Sequence, residues 1–90
     1  MTTESEVLKL TRELLAIDTI DPPGNEETAA KIMARKLAEE GIESTFQTIA
    51  PGRTNLIARV KGTGGRPGLS MSAHFDTIGV DPETWTRNAF

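Results

Sequence analysis

The stretch Ser72-Ala73-His74-Phe75-Asp76-Thr77 holds the single histidine of the chain and, two positions later, an aspartate. Read as a β-strand, its alternation sends Leu69, Met71, Ala73 and Phe75 to one side and Ser70, Ser72, His74 and Asp76 to the other. Two residues of extended chain separate the His74 and Asp76 α-carbons by about 6.6 Å, which lets a carboxylate hold an imidazole in one orientation. An imidazole held through one ring nitrogen offers the other to a metal, and the carboxylate fixes the tautomer and raises ligand basicity. The same spacing also suits a hydrogen-bonded pair that only ties off a strand end, and spacing alone does not choose between the two.

Other candidates are weaker. Gly62, Gly64, Gly65 and Gly68 lie close together, as in a phosphate-binding loop, but the Lys and Ser/Thr that close such a motif are missing, Pro67 interrupts the run and a strand is expected to follow. A turn between strands is the better reading. Asp18, Asp21, Asp81 and Glu83 read as turn and cap residues, and Trp85 as a packing anchor. With no cysteine, thiolate ligands, cysteine nucleophiles and disulfides are excluded within these residues, so a metal here would take nitrogen and oxygen.

The elements that must position the pair follow from hydrophobic period. Val7, Leu10, Leu14 and Ile17, flanked by Leu8 and Leu15, form one helical stripe, with Thr3 and Glu6 as a capping box and an end near Asp18 to Thr19 imposed by Pro22 and Pro23. Asp21 to Asn25 is then a stiff loop. A second helix begins after Asn25, whose side chain can cap it, carries Glu26 and Glu27 at its positive end, and buries Ala29, Ala30, Ile32, Met33 and Leu37. Gly41 stops it, with Ile42 folding back onto Leu37. From Ile42 the period becomes two. A strand containing Phe46 and Thr48 turns at Pro51-Gly52 into a second, Leu56 to Lys61, and after the glycine run a third spans about Leu69 to Phe75. Short connections imply antiparallel pairing of successive strands. The expectation is an α/β fold of two helices and then three strands.

Ninety residues with 37% hydrophobic and 26% charged composition suit one modest core. Ten basic against thirteen acidic residues give a net charge of -3 without a basic face, which argues against a nucleic-acid partner. The acidic start, Glu4 to Glu6, is unlike a secretory signal and no apolar run reaches the length of a membrane span, so a cytoplasmic protein with no membrane partner is expected. Phe90 follows closely on the His74 segment with no closing helix or strand, which reads as truncation.

Taken together, these segments resemble the acetylornithine deacetylase, succinyl-diaminopimelate desuccinylase, aminoacylase and carboxypeptidase G family of co-catalytic zinc hydrolases. Three stretches carry the resemblance. Leu14-Leu15-Ala16-Ile17-Asp18-Thr19, running into Asp21-Pro22-Pro23-Gly24-Asn25-Glu26, is similar to the family's loop between its first two helices. Arg53-Thr54-Asn55-Leu56-Ile57-Ala58-Arg59 resembles its Asn-Leu strand, and Ser72 to Ile78, with Trp85 and Phe90 downstream, resembles its His-x-Asp motif.

The resemblance implies that residues 1–90 are the amino-terminal portion of a three-layer α/β/α catalytic domain with a mixed sheet, the rest of that domain and a lid or dimerisation domain lying beyond. It makes His74 a metal ligand and Asp76 the catalytic aspartate that orients it. It implies two Zn2+ ions per site, with Co2+ able to substitute, about 3.5 to 4 Å apart around a shared water. The substrate would be an N-acyl amino acid or short peptide cleaved at its amide, and the parent a homodimer. The bridging aspartate, the glutamate base and the other ligands would follow Phe90. Ile78-Gly79 stands where valine and proline are commoner, and Ala89 where a proline usually precedes the phenylalanine; both bear on loop shape. Two competing readings are a non-catalytic α/β module and a metal-free relative that binds without turnover.

Overall fold

The computed structural model describes residues 5–90. Helix α1 runs Glu6–Leu15 and helix α2 Glu26–Glu39; strands β1, Ser44–Ala50, and β2, Arg53–Ala58, complete the regular elements among the described residues. The result is a small α/β arrangement in which an antiparallel hairpin packs against α2. None of the described helices is long and apolar enough to cross a membrane.

Ser5 caps α1, its Oγ accepting from the Leu8 amide at 3.2 Å. The expected capping box rests on Thr3, which lies outside the described residues. The helix stops at Leu15, short of the expected Asp18 to Thr19, because Asp18 Oδ1 captures the Ile20 amide at 3.1 Å and starts a turn. No residue of α1 is fully buried, and Val7 is 77% exposed. Ion pairs tie α1 to α2: Glu13 to Arg35 at 3.0 Å and Glu6 to Lys36 at 3.6 Å.

Asn25 precedes α2 but does not cap it with its side chain, contrary to expectation. Its backbone is left-handed, φ 55°, rather than in the extended region that lets a capping side chain reach back to the first-turn amides. The Gly52 carbonyl accepts from the Glu27 amide instead, at 3.1 Å. At the other end Gly41, φ 75°, closes a Schellman motif: its amide donates to Ala38 O at 3.0 Å and that of Ile42 to Leu37 O at 2.9 Å. Ala29 and Ala30 are the buried apolar residues, small enough to bring α2 close to its neighbours.

In the hairpin Ser44 pairs with Ala58 and Thr48 with Thr54, and a shift between Thr48 and Ala50 brings Ala50 opposite Arg53. Buried Thr54 meets the Thr48 hydroxyl at 3.1 Å. The second strand, expected over Leu56 to Lys61, lies three residues earlier at Arg53–Ala58, and the expected third strand over Leu69 to Phe75 does not form. A strand needs a backbone partner, and the glycine-rich connection does not return the chain alongside β2. Leu69 and Met71 stay 85% and 86% exposed. Only Thr77 finds a partner, as an isolated parallel bridge to Ile20 in the loop between the helices. The sheet is therefore two-stranded and antiparallel, not three-stranded. A radius of gyration of 15.8 Å, against about 12 Å for a compact chain of this length, reflects the extended segment after β2.

Candidate metal-ligand site

The loop between α1 and α2 organises the site. Around Ile20 it offers backbone to residues 75–77 in the parallel pattern: the Thr77 amide donates to Thr19 O at 3.0 Å, and the Asp21 amide to Thr77 O at 3.0 Å. The Thr19 hydroxyl adds a bond to Phe75 O at 2.8 Å. Thr19 is 2% exposed, so its hydroxyl has exchanged water for that carbonyl.

His74 and Asp76 are brought together without a strand. His74 Nδ1 lies 3.0 Å from Asp76 Oδ1 and 3.0 Å from the Asp76 carbonyl oxygen. A carbonyl oxygen can only accept, so this contact places a proton on Nδ1. In the neutral ring Nε2 then carries the free lone pair, and the His74 side chain is 83% exposed. Asp76 is more enclosed, at 33%.

A second cluster secures the other side of the loop. Arg53 Nη2 lies 2.6 Å from Glu26 Oε1 and 3.3 Å from Asp21 Oδ2, and its Nε is 3.2 Å from both Glu26 oxygens. Glu26 is buried, and the Arg53 hydrogen bonds hold its carboxyl below the usual carboxylate range against the opposing effect of burial. The same contacts, Glu26 first, raise Arg53 further above its already high range. Gly24, φ 104°, passes so close that an added β-carbon would sit 2.7 Å from Arg53 Nε.

The three sequence stretches singled out above thus meet at one loop: residues 19–26, Arg53 at the start of β2, and residues 75–77. Asp18 and Asp81 are turn formers as expected, Asp81 Oδ1 accepting from the Glu83 amide at 3.0 Å. Asp21 departs from that expectation by pairing with Arg53. Trp85 is half exposed. Sequence reasoning missed Thr19 and Arg53, whose partners lie 56 and 27 positions away, beyond the reach of any local period.

As a zinc site the donor set is partial. Zinc takes four ligands in closed sites. His74 Nε2 suits one of these positions, and the Asp76 carboxylate is engaged at Nδ1. Among the described residues no group of three or more His, Cys, Asp or Glu is placed to hold a metal ion. No family model, curated protein or solved structure matches the chain.

Proposed function

We propose that this chain supplies one metal-binding histidine and its orienting aspartate to a zinc-dependent amidohydrolase acting on N-acyl amino acids or short peptides. The observation that carries the reading is the hold on His74 Nδ1 by the Asp76 carbonyl, with the Asp76 carboxylate 3.0 Å from the same nitrogen, which leaves Nε2 as the free donor of an exposed side chain. Oriented imidazoles of this kind are the common first ligands of zinc, and the carboxylate behind them raises their basicity. The convergence of the three family-like stretches on one loop supports the same reading.

In this proposal Asp76 keeps the proton on Nδ1 and His74 presents Nε2. The remaining ligands and the general base come from residues outside these ninety, within a three-layer α/β/α domain where the open backbone of Leu69 to Phe75 pairs as a strand. Zinc, when bound, supplies Lewis-acid polarisation of the amide carbonyl and a water of lowered pKa. The work of His74 and Asp76 is to fix where that charge sits.

The test uses the whole gene product that carries this sequence. Zinc content by mass spectrometry and hydrolysis of N-acetyl amino acids are measured for the wild type and His74→Ala. Loss of zinc and of turnover in a folded variant is expected. Full zinc occupancy with normal turnover would refute the proposal and leave the pair as a local tie.

A further inference from the structure

We infer that Thr19 is a positioning residue that sets the tautomer of His74. The hydrogen bonds of Thr19 go not to His74 or Asp76 but to the residues on both sides of Asp76. Its hydroxyl donates to Phe75 O at 2.8 Å and its carbonyl accepts from the Thr77 amide at 3.0 Å. The Asp21 amide completes the hold by donating to Thr77 O.

In extended backbone successive carbonyls point to opposite sides. With the Phe75 and Thr77 carbonyls both drawn to the loop, the Asp76 carbonyl between them is turned the other way, where His74 Nδ1 meets it at 3.0 Å. The Asp76 carboxylate, 3.0 Å from the same nitrogen, is placed by that same backbone. A residue pinned on both flanks cannot rotate its peptide groups without breaking a bond. Because Thr19 is 2% exposed, water does not replace its hydroxyl at Phe75 O, and the substitution that removes it leaves that acceptor unsatisfied. The loop is in turn fixed by Asp21 on Arg53. Orientation of the imidazole therefore passes from the loop to Thr19, to the peptide groups flanking Asp76, and to Nδ1.

The consequence for metal binding rests on the zinc reading above; the tautomer itself does not. Ring 15N shifts of His74 are measured in the protein at a pH where the ring is neutral, for the wild type, Thr19→Ser and Thr19→Val. The Nδ1–H form should dominate in the wild type and in Thr19→Ser, which keeps the hydroxyl. Thr19→Val should shift the ring toward the Nε2–H form while amide spectra of α2 and the hairpin stay native. Retention of the Nδ1–H form in folded Thr19→Val overturns the inference. Should the valine variant fail to fold, a folded Thr19→Ser protein that has lost the Nδ1–H form overturns it equally. In the whole gene product, Zn2+ affinity should fall by about 10-fold in Thr19→Val, the lower end of what loss of an orienting partner costs, and recover in Thr19→Ser. A tautomer change with no change in Zn2+ affinity would uphold the role of Thr19 and count against His74 as a ligand.

Discussion

Arg53 and Glu26 form the shortest ion pair among the described residues, 2.6 Å between Nη2 and Oε1, and join the start of β2 to the first turn of α2. Glu26 is buried, so its carboxylate depends on this guanidinium in place of water. Arg53→Ala should therefore destabilise the fold more than Glu26→Gln, which removes the buried charge together with its need for a partner. Urea denaturation of the two variants, followed by far-UV circular dichroism, gives the order. Equal or reversed midpoints would show that the pair does not hold the hairpin to α2.

The same pair gives a pH dependence. The Glu26 carboxyl is held below its ordinary value of 4.5, so the stability it confers is complete above about pH 4.5 and is lost as pH falls through the lowered value. Protonation then releases Arg53. The urea midpoint should fall more steeply between neutral pH and pH 3 in the wild type than in Glu26→Gln. Parallel pH profiles for the two proteins would remove Glu26 as the source.

Gly24 has no room for a side chain. An added β-carbon would lie 2.7 Å from both Arg53 Nε and Glu26 Oε1, and φ of 104° is strained for any residue with one. Gly24→Ala should cost about 1 to 3 kcal/mol from the backbone alone, with the displaced ion pair adding to it. Gly41→Ala carries the strained φ of 75° without any close neighbour. Thermal melts of both variants should show the larger drop at Gly24, and a Gly24→Ala protein as stable as the wild type would mean that the clamp is loose.

His74→Ala and Asp76→Ala should separate in the whole gene product. The first removes the donor nitrogen, so zinc and turnover should be lost together. The second removes the orienting carboxylate, and a fall of roughly 10- to 100-fold in metal affinity or activity is expected with the fold retained. Matched zinc analysis, melting and turnover on both proteins distinguish this from a local tie, for which only melting would move.

Leu69, Met71 and Ile78, each at least 85% exposed, leave apolar side chains along one segment outside the two-stranded sheet. Such surface favours association. The ninety-residue chain should bind a dye that reports apolar surface and should self-associate as concentration rises in analytical ultracentrifugation. A monomer that leaves the dye unbound would show that this segment is covered.

Much of the fold was legible in the sequence because its signals are local. Gly41 and Ile42 announced the end of α2, and Pro51-Gly52 the hairpin, since each depends on residues within a turn of one another. The pairing of Leu69 to Phe75 was not legible, because alternation specifies a face and says nothing of a partner. Proximity of His74 to Asp76 could be anticipated from a spacing of two, yet it arises in backbone that is not a strand. Thr19 and Arg53 act across the molecule, where a β-branched residue after an aspartate and one arginine among ten basic residues carry no distinguishing mark.

The bond from Thr19 to Phe75 closes a loop of 56 residues, far longer than any turn of helix or hairpin in the chain. Contacts of such separation form late, because the chain entropy of closure must be met before they contribute. The helices and the hairpin can assemble from neighbouring residues, whereas the peptide groups around Asp76 acquire their direction only when residues 75–77 dock on the loop. During synthesis Thr19 emerges long before Phe75, so the imidazole can be aimed only once residues 75–77 have been made and have docked on the loop.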